Sequence, residues 1–586
     1  MGRSAANRKK RKVAARSNEK SPRQPIDRSF AIAIWASALA LWAAFPPLDL
    51  GWLAWVAPAG WVFVADSRAP ISRRGWLAIW FSGVAFWLAT LQGIRLAYWP
   101  LYFGWIAMSL ALGGYTPFFV WMTRRLTSRY LLPLFVAAPV AWVAVEFTRS
   151  WVLTGYCGNG LSHTQVAFPA VIQIADQLGG YGVSFLVMLV CAAIVQSVVA
   201  LRGSQSVLRI AMPIVISVLA VGANYGYGRW RLAQADVLAE QSPLLTVLLV
   251  QENTPTMFDG SAEDLREAWT RYLNTTRELS RQHETADLVV WPESTFGGGV
   301  PYFAANRPTV MPDRLPFLTS DQVKENVEQF DVDFRTRVLY TLRATRGETV
   351  LGAIGGASQR PDASHLLVGS GAVEITPEED KKFNSALFIS PDGEVIGRYD
   401  KMHAVMFGEY IPLGALLKPL RDMYPISIFT GEEPQAFELA GTTICPNICF
   451  ESMMPRLVSR QVRGLVSSGQ SPDLIVNMSN DSWFRGSSML DHHLACTILA
   501  AVENRRPVVV AANTGLSASI DGSGRVIQRT QRLEAAGILA RPTADARPGL
   551  VQSLGYPLAW ISALLCLLTF ARKPKSPAVS GGASVT

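Results

Sequence analysis

Residues 442–451 read Thr-Thr-Ile-Cys-Pro-Asn-Ile-Cys-Phe-Glu. The first part, Thr442–Ile448, is rich in β-branched and apolar residues, which predicts a buried strand. Cys449 follows this strand directly, where a helical turn is expected to begin. Backbone N–H groups at such a turn favour a thiolate and can hold an oxyanion. The segment therefore predicts an α/β domain with a reactive cysteine at a strand end, where active sites gather.

Two further strand ends carry groups that suit a cysteine nucleophile. The stretch Val290–Ser294 presents Glu293, Arg398–His403 presents Lys401, and Glu409 follows shortly after. A carboxylate can take the thiol proton and return it later, and a lysine supplies fixed positive charge to a tetrahedral intermediate. Each residue alone is more often solvated surface or core packing. Their combination predicts a Glu–Lys–Cys catalytic site.

From about residue 244 the sequence alternates between predicted strands and helices. This order predicts an α/β domain over 240–545, with its sheets covered by helices. Residues 297–332 and 359–381 are rich in Pro, Asp, Ser and Gly and are expected to be insertions or mobile loops. Strands are predicted over 244–250, 286–291, 349–354, 382–390, 394–399, 442–448, 473–478, 507–512, 517–521 and 525–529, and helices over 263–283, 332–344 and 494–504.

The amino-terminal half has a different composition. The chain has 586 residues, which is too long for one compact core. Fourteen of its 18 Trp residues lie at or before Trp230, where long apolar runs also lie. This asymmetry indicates transmembrane helices over 29–228 ahead of the water-soluble half, and one more after it. Eight spans are predicted, over 29–46, 52–66 (short for a full span), 76–94, 102–122, 131–148, 180–201, 209–227 and 554–571.

Lys and Arg residues predict the orientation of these spans. The tail 1–28 is basic, and the tail 572–586 begins with Arg572 and Lys573. Between the spans, short loops that carry Arg alternate with loops that have almost no Lys or Arg. Both tails are therefore predicted to be cytoplasmic. Seven spans then place the catalytic domain outside, in the periplasm of a bacterium whose inner membrane holds the chain. The net charge of +9 gathers in the tails, so it indicates attraction to anionic lipid and no nucleic acid partner.

Cysteines and histidines give no sign of a metal or an organic cofactor. The six cysteines lack the paired spacing of a disulfide framework or a zinc ribbon, although Cys445 and Cys449 could be bridged in an oxidising compartment. The residues His403, His492 and His493 have no ligand-spaced partners. We therefore expect chemistry that uses side chains alone.

One carboxylate lies inside a predicted span. Glu146 belongs to the fifth apolar segment, where a carboxylate is costly unless it is paired or functional. Arg149 is one helical turn further on and could neutralise it. The sequence leaves two interpretations open: a pair that fixes helix packing near the outer interface, or a direct contact with lipid headgroups.

The three strand-end motifs resemble the nitrilase superfamily, whose signature is an ordered Glu, Lys and Cys triad on an αββα sandwich. Together with the flanking spans, the chain resembles the apolipoprotein N-acyltransferase family over about residues 29–571. The motifs that carry this resemblance are Trp-Pro-Glu-Ser-Thr at 291–295, Phe-Gly-Glu-Tyr-Ile-Pro at 407–412, Ile-Cys-Phe-Glu at 448–451, Asn-Asp-Ser-Trp-Phe at 480–484, Ala-Asn-Thr-Gly at 512–515 and Gly-Gly-Tyr-Gly-Val-Ser-Phe at 179–185.

The resemblance implies a reaction and three catalytic roles. Glu293 is the implied general base, Lys401 stabilises the oxyanion, and Cys449 is the nucleophile that becomes a thioester. The implied acyl donor is a membrane phospholipid, expected to be phosphatidylethanolamine cleaved at its sn-1 ester. The implied acceptor is the α-amino group of the diacylglyceryl-cysteine at the N-terminus of an apolipoprotein, and no cofactor is implied.

The resemblance also implies supporting residues. Glu409 is expected to orient Lys401 or the base, and Glu451 to support the site just after the nucleophile. Trp483 is expected on a loop near the place where the acyl chain enters. One departure is Phe450, because the family more often has Tyr there. The interval between the catalytic Glu and Lys is also longer than is usual for the family.

Two other functions are compatible with parts of the sequence. A membrane-anchored amidase or hydrolase of nitrilase type would use the same triad but transfer its acyl group to water. A transporter or receptor with a ligand-binding domain would leave the triad without a purpose. Substitution of Cys449 separates enzyme from transporter, and the acceptor, an amine or water, separates the two enzymes.

Overall fold

The computed structural model describes most of the chain. It covers residues 28–67, 69–152, 155–256, 261–303, 320–348, 364–375, 380–406, 408–410 and 427–571. The predicted tails (apart from residue 28), the strand predicted over 349–354, and Phe407, Ile411 and Pro412 of the motif at 407–412 lie outside these residues.

The amino-terminal half is helical because its segments are almost entirely apolar and contain few helix breakers. The bounds of its helices are Arg28–Ala44 (α1), Ala59–Asp66 (α2), Arg73–Thr90 (α3), Leu101–Gly113 (α4), Tyr115–Arg129 (α5), Leu134–Arg149 (α6), Pro169–Ile172 (α7), Ala175–Leu178 (α8), Gly180–Arg202 (α9) and Val207–Ala239 (α10). Leu550–Leu554 (α15) and Pro557–Ala571 (α16) lie at the carboxyl end of the described chain.

Three helical stretches are long and apolar enough to cross a membrane by length and composition. They are Leu101–Arg129, which joins α4 to α5, then α9 and α10. The helices α1 and α16 are apolar but shorter. The second predicted span is a 3₁₀ turn at Gly51–Trp55 followed by α2, and eight residues of helix measure about 12 Å, against a hydrocarbon core of about 30 Å. The count of eight spans therefore stays a prediction.

The second half of the chain is an α/β domain. Its strands are Val247–Gln251 (β1), Leu288–Trp291 (β2), Tyr302–Phe303 (β3), His365–Ile375 (β4), Asp380–Ile389 (β5), Val395–Asp400 (β6), Phe437–Leu439 (β7), Thr442–Ile448 (β8), Leu474–Asn480 (β9), Val508–Asn513 (β10), Ala518–Ile520 (β11), Val526–Arg529 (β12) and Ala536–Ala540 (β13). Its helices are Ala262–Gln282 (α11), Ser320–Thr345 (α12), Pro455–Ser467 (α13) and Met489–Asn504 (α14).

The strands form two sheets. The first has the order β13-β1-β2-β4-β5-β6, with β3 beside β4, and the second has the order β12-β11-β10-β9-β8-β7. In the first sheet β1, β2 and β4 are parallel, and two antiparallel pairings turn β6 back into their direction. In the second sheet β8, β9 and β10 are parallel. The carboxyl ends of β2 and β6 therefore share one edge of the first sheet.

The domain has four layers: helix, sheet, sheet and helix. Apolar side chains of both sheets, such as Val290 and Val476, form one buried cluster between them. The outer face of the first sheet packs against α11 and α12, and that of the second packs against α13 and α14. Both faces of each sheet are buried, which explains why the central strands are continuous apolar runs. The predicted αββα sandwich is confirmed.

The prediction of a loop over 359–381 is wrong for its second part, because β4 lies there at the centre of the first sheet. The residues Gly369 and Gly371 gave the segment a loop-like composition. Gly369 is required by packing: a Cβ atom there would lie 2.4 Å from the carbonyl oxygen of Pro292 and 2.5 Å from the Cα of Glu293. The glycine lets β4 pass directly behind the carboxylate at the end of β2.

Buried charges hold the α/β domain against the helices. Arg505, at the end of α14, is fully buried, and two of its nitrogens lie 3.0 and 2.6 Å from one oxygen of Asp176 on α8. Arg231 of α10 lies 2.6 Å from the same oxygen. Glu503 accepts from the backbone N–H of Gly180 at 2.7 Å, at the start of α9. These contacts fix the position of α14, which also reaches the candidate site.

Candidate active site

Three strand ends bring the predicted triad together. Glu293 follows β2, Lys401 follows β6 and Cys449 follows β8. Glu293 and Lys401 are 6% and 1% exposed, so neither is an ordinary surface charge. The Lys401 Nζ atom donates to Glu293 Oε1 at 3.1 Å. Both charges act on the pKa of the Cys449 thiol: Glu293 raises it and Lys401 lowers it.

Both oxygens of Glu293 accept hydrogen bonds. Oε1 accepts from Asn384 Nδ2 at 2.6 Å as well as from Lys401, and Oε2 accepts from the backbone N–H of Asn480 at 3.0 Å. All of these partners are donors, so both oxygens are satisfied as acceptors. Glu293 is therefore held in one orientation as a proton acceptor.

Lys401 is held between two carboxylates. Its Nζ atom lies 2.8 Å from Glu409 Oε1, in addition to its contact with Glu293. Burial alone would lower the pKa of this ammonium, but Glu293, Glu409 and Cys449 outweigh that effect, and the pKa of Lys401 lies well above its ordinary value. Lys401 is therefore a permanent positive charge and cannot serve as a base. The expected role of Glu409 in orienting Lys401 agrees with this geometry.

Cys449 sits on a strained turn. Its φ angle is +52°, in the left-handed region that non-glycine residues rarely adopt. The turn that it starts is a short 3₁₀ turn, Cys449–Met453. Burial and then the Glu293 carboxylate raise the pKa of the thiol well above its ordinary value, although Lys401 opposes them. The thiolate that we expected from the turn is not favoured at rest, so this cysteine needs a base.

Glu451 ties two of the three strand ends together. This fully buried carboxylate accepts from the backbone N–H groups of Met402 at 2.6 Å and His403 at 3.1 Å, just after Lys401. It also accepts from the N–H of Ile448 at 2.8 Å, just before the nucleophile. Burial raises its pKa to about 7, against the effect of these hydrogen bonds. Glu451 therefore contacts the backbone beside Lys401 and Cys449.

Trp483 lies in the 3₁₀ turn Asp481–Phe484, which follows β9 directly. The last residue of β9 is Asn480, whose backbone N–H donates to Glu293. The side chain of Trp483 is half-buried. Trp483 thus lies three residues after Asn480, in the turn that follows the same strand end, and its role at the entrance for the acyl chain stays a prediction.

Two polar residues of the site escaped the sequence-based prediction. Asn384 of β5 donates from one Nδ2 atom to Glu293 at 2.6 Å and to Glu409 at 3.0 Å. His493 of α14 lies 3.1 Å from the carbonyl oxygen of Cys449. The signal that could have found them is a polar residue within a predicted buried strand or helix face, because such groups need partners.

The ion pair between Glu146 and Arg149, one of the two interpretations that the sequence left open, is not formed. Glu146 instead accepts from Trp142 Nε1 at 2.8 Å and from the backbone N–H of Leu161 at 2.9 Å. The Arg149 guanidinium lies over the Trp87 ring at 5.0 Å and near the Tyr156 ring. The reason is local, since Glu146 faces the following loop and Arg149 faces the aromatic side chains.

The cysteines and the possible metal ligands determine whether the chain can hold a disulfide bond or a metal ion. All six cysteines are free thiols, so Cys445 and Cys449 are not bridged. Within the described ranges, no group of three or more His, Cys, Asp or Glu side chains is arranged to hold a metal ion.

Comparison with known proteins covers both halves of the chain. Residues 37–193 match the family described as apolipoprotein N-acyltransferase N-terminal domain, and residues 247–543 match the carbon-nitrogen hydrolase family. A solved amidase from Nesterenkonia sp. is 14% identical, with a TM-score of 0.31 over 53% of this chain and 94% of its own.

Two curated relatives are similar over most of their length, and both are named apolipoprotein N-acyltransferase. The protein of Rhodopirellula baltica is 30% identical over 558 residues, which is 90% of this chain and 94% of the relative. The protein of Geobacter metallireducens is 27% identical over 482 residues, 81% of this chain and 82% of the relative. The helical half and the α/β half together therefore show that this chain belongs to the apolipoprotein N-acyltransferase family.

Proposed function

We propose that this N-acyltransferase takes a fatty acyl group from a membrane phospholipid, holds it as a thioester on Cys449, and transfers it to the N-terminal amine of an apolipoprotein. Family membership supports the acyl transfer to apolipoproteins. The observation that carries the mechanism is the buried group of three at the strand ends. A thiol with a raised pKa lies beside a held carboxylate and a permanent ammonium.

In the first half-reaction the phospholipid is the acyl donor. Glu293 takes the thiol proton while the sulfur of Cys449 attacks the sn-1 ester carbonyl carbon. The carbonyl oxygen becomes an oxyanion beside Lys401. An ammonium has three N–H donors, and hydrogen bonds to Glu293 and Glu409 use two of them. The third serves the oxyanion. When the intermediate collapses, the glycerol oxygen leaves with the proton from Glu293, which releases a lysophospholipid and leaves the thioester.

In the second half-reaction the acceptor is the α-amino group of diacylglyceryl-cysteine. Its neutral amine attacks the thioester carbonyl carbon, Lys401 again stabilises the oxyanion, and Glu293 removes the proton that the attacking nitrogen loses. Collapse breaks the C–S bond, an amide forms, and the Cys449 thiol is restored with that proton. No group besides the side chains is needed for either step.

The supporting residues act by position. Glu409 accepts from Lys401 and from Asn384. Asn384 also donates to Glu293. Together they hold the Lys401–Glu293 pair in position. Glu451 joins the backbone after Lys401 to the backbone before Cys449. Trp483 stands at the rim, where an acyl chain has to pass. The family favours this transferase over the amidase alternative, because the named relatives are N-acyltransferases.

The donor and acceptor can be tested together. Purified full-length protein is incubated with phosphatidylethanolamine deuterated in its sn-1 chain and a synthetic diacylglyceryl-cysteinyl peptide. We expect the deuterated acyl group on the peptide amine, with one lysophosphatidylethanolamine released for each amide formed. Mass spectrometry of the lipid and peptide fractions measures both products. Deuterated free fatty acid with unmodified peptide would instead identify a hydrolase, and a peptide acylated only from another lipid would exclude this donor.

We also propose that the catalytic domain faces the periplasm from a bacterial inner membrane. The alternation of basic loops supports this orientation. The six native cysteines are buried or half-buried, whereas Glu263 at the start of α11 is exposed. A membrane-impermeant maleimide should therefore label Glu263→Cys in intact spheroplasts, with the unmodified chain as the background control. Labelling that requires lysis of the spheroplasts would place the domain in the cytoplasm.

A further inference from the structure

Three polar side chains surround the carbonyl oxygen of Cys449. His493 Nε2 lies 3.1 Å from this oxygen, Ser452 Oγ donates to it at 3.1 Å, and Asn477 Nδ2 donates at 3.4 Å. The residue has a φ angle of +52°, a conformation that is unfavourable for an L-residue. Surrounding contacts have to maintain it, and this carbonyl is where they converge.

His493 joins that carbonyl to a buried carboxylate. Its Nδ1 atom lies 3.1 Å from Asp481 Oδ1, and its Nε2 atom lies 2.7 Å from Ser452 Oγ. The side chains of His493 and Asp481 are 6% and 4% exposed. Asp481 also accepts from Ser479 Oγ at 2.7 Å, and a hydrogen bond from Ser479 lowers the pKa of the Cys449 thiol.

The partners of His493 accommodate a proton on each ring nitrogen. Nδ1 faces the Asp481 carboxylate and donates to it. If Nε2 carried a lone pair, that lone pair would face the Cys449 carbonyl oxygen at 3.1 Å. If the Ser452 hydroxyl donates to the carbonyl, its oxygen accepts from Nε2. If the Ser452 hydroxyl instead donates to Nε2, the carbonyl keeps only the N–H of Asn477, at 3.4 Å. A ring with hydrogen on both nitrogens, an imidazolium, is the form that donates to Asp481 and to the carbonyl together.

We propose that His493 is a positioning residue for the nucleophile: an imidazolium, paired with Asp481, that holds the Cys449 carbonyl and fixes the turn that presents the thiol. The proposal rests on the proposed function, because it concerns the same thiol. Two carboxylates act on the ring: Asp481 after β9, which contacts Nδ1, and Glu293 after β2. Burial lowers the pKa of His493, but Asp481 outweighs it and the net direction is upward, as an imidazolium requires.

The neighbouring His492 provides a matched control. It lies on the same helix and is 3% exposed. Its ring packs edge-on against Phe45 at 6.0 Å, and its Nε2 atom has no hydrogen-bond partner in the described part of the chain. Burial lowers its pKa to about 3, so it is neutral. Substitution of His492 disturbs the packing of α14 without touching the nucleophile.

The test compares full-length His493→Ala, His493→Gln and His492→Gln with the wild type. Two quantities are measured: kcat and KM for acyl-enzyme formation from phosphatidylethanolamine, and the rate of Cys449 alkylation as a function of pH. We expect His493→Ala to lower kcat by about 100-fold with KM unchanged, the usual effect of a misplaced reacting group. His493→Gln keeps one N–H donor and should regain about tenfold, the worth of one hydrogen bond.

In both His493 variants the alkylation midpoint should move to higher pH, because a positive charge that favours the thiolate has been removed. His492→Gln should leave every quantity at its wild-type value. An unmoved midpoint, or a Gln variant no faster than the Ala variant, overturns the proposal. If His493→Ala does not fold, the Gln variant decides by its kcat and its midpoint. Alkylation needs no lipid, so it still reports on the turn if phosphatidylethanolamine is not the donor.

Discussion

Replacing Cys449 with alanine should abolish the fatty-acyl adduct that we expect the wild-type protein to form with phosphatidylethanolamine. The thiol is the only group of the site that can carry the acyl chain, since Glu293 and Lys401 are held in hydrogen bonds to each other. Loss of a nucleophile lowers turnover on the order of 10⁴-fold or more. Intact mass measurement should show the adduct on the wild type alone, and hydroxylamine should remove it, as expected for a thioester.

The control for this experiment is Cys445→Ala. Cys445 lies four residues earlier on the same strand and is 2% exposed, and burial raises its pKa to about 12. It belongs to the cluster between the second sheet and its covering helices. This variant should keep the adduct, although it removes a thiol close to the site. An adduct that persists on Cys449→Ala would exclude Cys449 as the nucleophile.

The strands that end in reactive groups were the most predictable part of the fold. β8 lies over Thr442–Ile448, the residues predicted from the pattern of β-branched and apolar side chains. Both faces of this strand are buried, so its sequence has no polar alternation to confuse the prediction. β4 was missed because it contains Gly369, Ser370 and Gly371, which are typical of loops. At Gly369 the backbone of Pro292 and Glu293 approaches too closely for a side chain. A tertiary contact requires that glycine, and no local pattern contains it.

The candidate site shows the same division. Glu293, Lys401 and Cys449 could be placed from the sequence because each directly follows a strand, and because their order resembles a known family. Asn384 and His493 could not, since each is one polar residue within a regular element. Their importance depends on which strand or helix lies opposite, which is decided by sheet order. In the helical half, one aromatic partner of Arg149, Trp87, comes from a segment distant in sequence.

The electrostatic arrangement explains why the site needs two carboxylates for one lysine. Burying an ammonium without partners is unfavourable by several kcal/mol. Glu409 neutralises Lys401 and accepts from the backbone N–H of Val405 at 2.7 Å, which fixes its second oxygen. Glu293 can then change protonation during the reaction while one negative charge stays beside the lysine. This division of roles makes the two carboxylates unequal.

Replacing Glu293 with glutamine should therefore be far more damaging than replacing Glu409. General-base catalysis contributes about 10²–10⁴-fold, and Glu293→Gln should lower the rate of thioester formation at neutral pH by that amount. In the wild type Lys401 and Asn384 donate to one oxygen of Glu293, and Asn480 donates to the other. The NH₂ group of the introduced glutamine would therefore face a donor in either orientation. Glu409→Gln removes the same charge from the same lysine and should cost about tenfold, the worth of one hydrogen bond.

A second measurement separates loss of the base from loss of structure. Glu293 raises the pKa of the Cys449 thiol, because its negative charge disfavours the thiolate. Removing that charge should shift the alkylation midpoint of Cys449 to lower pH in Glu293→Gln, even though the variant is slow at neutral pH. A thiolate needs no base for the first half-reaction, so thioester formation by the variant should recover as pH rises through that midpoint. Two results would show that Glu293 is not the base. One is that Glu409→Gln forms the thioester as slowly as Glu293→Gln. The other is that the alkylation midpoint of Cys449 in Glu293→Gln moves to higher pH.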